Sequence, residues 1–257
     1  MKLRIAILSI AALTALSLTV CQPARASQIA YEGFGQSFPI YANGGIGFSG
    51  PWTQGGFNVA ASGYVANPVS LSFPSLEASA FGSVSGDAFP AINGAIRNLA
   101  QPLGADDTTI YLSFLLRPDG ILNQGVFNGF FGVTLKGSLF NDLFIGKPGG
   151  GALGQYVLET RGGSGQVPSG TSTDVGETAL LVVKAQFQSG NDLFTLYTNP
   201  KPGEPEPSSG AQKSDLDLGT VSTIGIYSTG AFTVDEIRIG TAYEDVVPKR
   251  GQGPHKW

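Results

Sequence analysis

The chain has 257 residues, of which only 13% are charged, 37 are Gly and 16 are Pro. So few charges exclude a protein built on long solvent-exposed helices, and 16 Phe, 8 Tyr and a 42% hydrophobic content exclude a disordered chain. The formal net charge of −4 argues against nucleic acid and anionic lipid as partners.

In chain order, the first segment reads as a secretory signal peptide over residues 1–26. Lys2 and Arg4 precede the apolar run Ile5–Val20, and Ala24 and Ala26 occupy small-residue cleavage positions. The run is short for a bilayer span, which needs about 20 residues. Cys21 follows Val20, a bulky residue where a lipidation signal places a small one. Cleavage before Ser27 would remove Lys2, Arg4 and Arg25, leaving 12 basic residues against 19 acidic ones, about −7 net. It would also remove the sole Cys and the sole Met. The mature domain, placed at 27–247, then has no disulfide to rely on, no second run of membrane length, and an expected location outside the cytoplasm.

Residues 27–107 give weak strand signals at Gln28–Glu32, Phe57–Ala61 and Ala95–Leu99. The pattern sharpens at Thr109–Arg117, where Ile110, Leu112, Phe114 and Leu116 share one phase. Further strands are predicted at Gly129–Lys136, Asp142–Gly146 and Gln155–Glu159. Ala179–Phe187 and Leu193–Tyr197 form a hairpin signature around a Gly/Asn turn, and Val221–Tyr227 pairs with Phe232–Ile239 in the same way. In the last strand the apolar pairs Phe232/Val234 and Ile237/Ile239 are out of phase, which predicts a β-bulge at Asp235–Glu236. No stretch has helical periodicity. About ten short strands with Gly/Pro turns read as one antiparallel sandwich or barrel. Pro200–Pro207 reads as a loop and residues 248–257 as a disordered tail. The tetrapeptide Asn-Asp-Leu-Phe occurs at 141–144 and at 191–194, and reads as shared turn chemistry.

Several segments carry a family resemblance: YEGF at 31–34, GFSGPW at 47–52, PLGADDTTIYLSFLLR at 102–117, FIGKPG at 144–149, LLVVKAQFQSGNDLFTLYTNP at 180–200 and VDEIRIGTAYEDV at 234–246. Together they resemble secreted bacterial proteins with a laminin-G-like, concanavalin A-like jelly roll, many of which end in an envelope-sorting tail with a Pro-Glu-Pro box. The resemblance implies an all-β, antiparallel jelly-roll β-sandwich and brings no catalytic residues with it. Pro205-Glu206-Pro207 lies mid-chain with no apolar span behind it, so it does not read as a sorting tail.

The sole His is His255, in the tail, so neither a Ser-His-Asp triad nor a His-rich zinc site is available. Carboxylates are the remaining route to catalysis. The E-x-D-x-x-E motif of glycosidases on this fold is absent, and Asp215 and Asp217 alternate with leucines that point to a core. A structural calcium ion is a second use for acids. Glu32 near the first strand and Asp235 in the last are the expected ligands, because these strands neighbour each other in jelly rolls. For carbohydrate, Trp52 in the Gly-rich 47–56 segment, with Tyr41 and Tyr64, are the candidate aromatic platforms, with core packing the competing role for Trp52. The Gly149–Gly154 run lacks the Lys-Ser/Thr and the helix of a phosphate loop. The expectation is a non-catalytic module at or outside a bacterial envelope that binds glycan or another envelope component. The alternatives are a structural or adhesive surface protein and a polysaccharide-active enzyme.

Overall fold

The structure is a computed structural model that describes residues 28–35, 43–55, 63–139 and 141–251. Fifteen strands follow one another: β1 Gln28–Glu32, β2 Thr53–Gln54, β3 Tyr64–Asn67, β4 Ser83–Gly86, β5 Asn93–Leu103, β6 Thr109–Pro118, β7 Phe131–Gly137 and β8 Asp142–Lys147. Then come β9 Gln155–Thr160, β10 Ser164–Ser172, β11 Ala179–Gln186, β12 Asp192–Thr198, β13 Ala211–Leu216, β14 Val221–Ser228 and β15 Phe232–Gly240. One helical turn, α1, closes the series at Tyr243–Val246. No helix among the described residues is long and apolar enough to cross a membrane.

The strands form two antiparallel sheets. One has the order β13-β12-β11-β6-β15-β4-β3, with β1 taking over the edge of β15 beyond β4, and the other has the order β10-β9-β8-β7-β14-β5-β2. Ile110, Leu112, Phe114 and Leu116 of β6 meet Val133, Leu135, Leu143 and Ile145 of the second sheet in one core. Phe131 and Phe232 stack across it at 5.6 Å. The predicted strands from residue 109 onward are present within a residue or two of their expected ends. The expected pairing of 221–227 with 232–239 fails, because β14 pairs with β5 and β7 in one sheet and β15 with β6, β4 and β1 in the other, so the connection crosses between sheets. Strands β2 and β3 escaped the pattern because they are only two and four residues long, and β4, β10 and β13 because they are Ser- and Gly-rich or polar. β10 and β13 are edges, and Pro168 in β10 has no N–H to offer a further strand. The predicted strand at 57–61 lies outside the described residues.

The central strands of the eight-stranded sheet are buried on both faces. Tyr111, Leu115, Leu180, Val182 and Tyr197 form a second cluster on its outer side, covered by Leu71, Leu76, Tyr243, Val246 and Val247. That double burial explains why 179–187 reads as a continuous apolar run rather than an alternation. The tail begins as part of the fold: Glu77 N–H donates to Pro248 O at 2.9 Å and Arg250 N–H to Ser75 O at 2.9 Å. The disordered-tail expectation therefore fails for residues 248–251, and 252–257 lie outside the described residues. The Pro200–Pro207 loop is tied down as well. Glu206 accepts hydrogen bonds from Tyr197 Oη at 2.6 Å, Tyr111 Oη at 2.8 Å and Lys184 Nζ at 3.0 Å. Burial works to raise its pKa, but these donors outweigh it and hold the carboxyl low.

The expected bulge in β15 is present. Asp235 stands opposite Leu115 and Arg238 opposite Ser113, three residues advancing against two, with Glu236 at φ 55°. The extra residue lets Val234, Ile237 and Ile239 all face the core.

Candidate functional site

The residues singled out from the sequence do not form one site. Trp52 is 1% exposed, stacks on Phe34 at 5.9 Å and donates its indole N–H to Glu32 Oε2 at 3.1 Å. Tyr64 is also buried, edge-on to Phe232, with its hydroxyl 3.0 Å from Ser228 Oγ. Both are core residues, and their burial corrects the expectation of binding platforms. Tyr41 lies outside the described residues.

The structure also corrects the pairing of Glu32 with Asp235. Glu32 stands opposite Ile237 in the β1–β15 ladder, and facing residues of an antiparallel pair point to the same side. That side is the core, where the Glu32 carboxylate takes the N–H of Phe34 at 2.8 Å and pairs with the Arg97 guanidinium. Asp235 faces outward, with Oδ2 accepting Leu71 N–H at 2.8 Å and Oδ1 accepting Glu236 N–H at 2.7 Å. The sheet separates the two acids, so they do not share an ion. Among the described residues no three His, Cys, Asp or Glu side chains gather as a metal site.

A groove of about 770 Å³ lies on the outer face of the seven-stranded sheet. In β8, Leu143 and Ile145 enter the core, which leaves Asp142 and Phe144 on the outer phase. Phe144 faces Glu159 of β9 in register, so Asp142, Phe144 and Glu159 share that face. Tyr227 of β14 forms part of the floor. Its neighbours across the ladder are Gly94 and Gly132, and Gly225 precedes it by two. A β-carbon on Gly94 or Gly225 would stand 2.7 or 2.6 Å from the Tyr227 ring, so glycine here is a requirement of space. The missing side chains give the sheet its hollow.

The groove's charges are largely paired. Asp142 Oδ2 accepts from Lys136 Nζ at 3.2 Å and from Arg161 Nη1 at 3.3 Å. Arg161 also lies 4.2 Å over the Tyr227 ring. Burial raises the pKa of Glu159, against the opposing effects of a hydrogen bond from Gln166 Nε2 at 2.8 Å and of nearby Lys213. Gln166 further binds Gly150 O and Ala152 N–H, tying the Gly-rich 149–154 loop to the wall.

The lip opposite is the short 3₁₀ turn Val126–Gly129. Phe127 is 64% exposed and sits at φ 50°, with Asn128 at φ 52°. A bulky residue in this left-handed region is strained and needs external support. Asn128 Nδ2 donates to Gly149 O at 2.9 Å, and the buried Lys147 Nζ donates to Asn128 O at 2.7 Å and Pro148 O at 3.2 Å. Burial lowers the Lys147 pKa from 10.5 to about 8. Between these values the unfolded chain binds a proton that the folded chain does not, so stability rises with pH across that window. Thermal melts from pH 8 to 10 should show wild type gaining up to about 3 kcal/mol relative to Lys147→Met. An unchanging difference between the two proteins would contradict this.

The repeated Asn-Asp-Leu-Phe has two roles. At 141–144 it presents Asp142 and Phe144 to the groove. At 191–194 Asp192 is buried and locks turns by accepting Gln188 N–H at 3.1 Å and Leu218 N–H at 2.9 Å. Both copies open a strand directly after a turn, as the expected turn chemistry has it, and the first also faces the groove. The available signal was the phase of β8 and β9, which sets Asp142, Phe144 and Glu159 opposite to the core leucines.

No protein-family model matches the chain, and no curated protein matches it in sequence. Solved structures do match. The endo-1,3-beta-glucanase from Streptomyces sioyaensis aligns at TM-score 0.52 and 8% identity, over 86% of this chain and 98% of that one. The fold is a concanavalin A-like jelly roll. The T. cruzi calreticulin globular domain aligns at TM-score 0.47 and 9% identity, over 86% and 90% of the two chains. The carbohydrate recognition domain of Emp47p aligns at 0.44 and 12%, over 83% and 95%.

Proposed function

We propose that this protein is a glycan-binding module that works at or outside a bacterial envelope without catalysis. The groove on the seven-stranded sheet carries this reading. Its volume of about 770 Å³ is that of an oligosaccharide rather than a single ring. Its lining combines apolar faces at Ile92, Phe127 and Phe130 with the polar groups of Asn141, Glu159 and Gln166. Sugars need this mixture, because their ring faces are apolar and their edges are rich in hydroxyls. The pairing of Asp142 with two cations leaves the groove without a strong field of either sign, which favours a neutral glycan over a uronic or sulfated one.

The test is an array of neutral and anionic glycans probed with the protein from Ser27 onward, followed by titration of Phe127→Ala and Glu159→Gln. Neutral glycans should bind, and each variant should lose about tenfold in affinity, roughly 1.4 kcal/mol. A folded protein that binds none of them would overturn the reading. Asp142 and Glu159, diagonal neighbours on one face with Glu159 raised in pKa, favour a second reading as a hydrolase. Release of reducing ends from a bound glycan, abolished by Glu159→Gln, would decide for it.

A further inference from the structure

Tyr227 lies along the groove floor on a bed of glycines, yet its exposure is 1%. Arg161 lies over its ring. The guanidinium carbon stands 4.2 Å from the ring centroid, and Nη1 reaches Asp142 Oδ2 at 3.3 Å. We propose that Arg161 is a displaceable cover and that Tyr227 beneath it is the stacking platform of the groove. This rests on the glycan-binding reading and adds to it how that site is held closed.

Three observations carry the inference. First, the Arg161 side chain is 34% exposed and its ion pair with Asp142 faces the groove, so solvent weakens the hold. Second, Arg161 opens the turn into β10, and the next two residues are Gly162 at φ 106° and Gly163 at φ 96°, with nothing within 4 Å of where their β-carbons would be. A turn of two such glycines beside open space can swing without dislodging a packed side chain. Third, the Tyr227 hydroxyl and the nearby Thr134 Oγ1 are buried with no hydrogen-bond partner among the described residues. Buried hydroxyls are normally bonded. Among the described residues, then, this outer face of the sheet carries two hydroxyls that are not yet matched. When Arg161 swings out, Asp142 keeps Lys136 as its partner. The cover can therefore leave without stranding a carboxylate.

The experiment compares wild type with Arg161→Ala and Arg161→Met, the second keeping the aliphatic stem. Hydroxyl-radical footprinting with mass spectrometry reads the accessibility of Tyr227 with no ligand present. Titration with laminarihexaose, cellohexaose and xylohexaose reads affinity. The expected result is a severalfold rise in Tyr227 oxidation in Arg161→Ala. Affinity for whichever hexasaccharide binds wild type should be about fivefold tighter or more, the loss of one cation–π contact with the competing cover. Folded variants in which Tyr227 stays protected, or in which affinity is unchanged or weaker, would overturn the cover. If neither wild type nor variants bind any hexasaccharide, the glycan-binding reading fails for these glycans. The footprint then decides the cover alone, since it needs no ligand.

Discussion

Replacing Arg97 with methionine is expected to lower the unfolding free energy by about 3–5 kcal/mol, measured by urea denaturation. Arg97 is 2% exposed and joins the two sheets inside the sandwich. It projects from β5 of the seven-stranded sheet to the Glu32 carboxylate on β1 of the other. Its remaining donors reach Gly50 O at 2.8 Å, Gly44 O at 2.6 Å and Asn43 Oδ1 at 3.1 Å, and Phe48 lies 4.1 Å from the guanidinium carbon. Burial lowers its pKa, and the Glu32 charge opposes that. Methionine fills much of the volume but leaves the Glu32 carboxyl without its cationic partner, with only the indole and the Phe34 amide as donors. The double variant Arg97→Met/Glu32→Gln should therefore recover a large part of the loss, because no buried charge remains unpaired. A single variant within 1 kcal/mol of wild type would show that the pair contributes little to stability.

Asp235→Ala is expected to cost about 2–4 kcal/mol near pH 4, since it orphans the buried amides of Leu71 and Glu236 at the bulge. Its pH dependence is the sharper readout. Burial, reinforced by the adjacent Glu236 charge, raises the Asp235 pKa well above 3.8. The folded chain then holds a proton that the unfolded chain releases. The contribution of Asp235 is complete below pH 3.8 and declines as pH rises through the folded value. The stability advantage of wild type over Asp235→Ala should shrink as pH is raised from 4 toward 8, read by denaturation at fixed ionic strength. An advantage that grows over that range would show that Asp235 is ionised in the folded state and held by its amide donors.

Trp52 shows why the sequence pointed to the wrong surface. A Trp in a Gly-rich segment fits a binding loop and a core plug equally well, and local pattern has no term for what lies opposite. Trp52 is opposite Phe34 and Glu32, 18 and 20 residues earlier in the chain. The groove had the reverse problem. Asp142, Phe144 and Glu159 sit in strands that were legible, and their outward phase was legible too. Their convergence with Tyr227 was not, because it depends on β7 lying between β8 and β14 and on glycines that matter only once neighbouring rings are placed.

The sequence by itself determined what short-range physics controls. Period-2 alternation and turn residues set the strands from 109 onward, and the phase break at Asp235–Glu236 set the bulge, because a pleated strand must put every second residue on one face. Tertiary structure alone decided which faces are covered. It buried the outer side of the eight-stranded sheet under residues 71–76 and α1, and it left the outer side of the seven-stranded sheet open as a groove. It also put Glu32 and Asp235 on opposite sides of one sheet. Covering depends on contacts between residues far apart in the chain, and no local pattern of side chains encodes it.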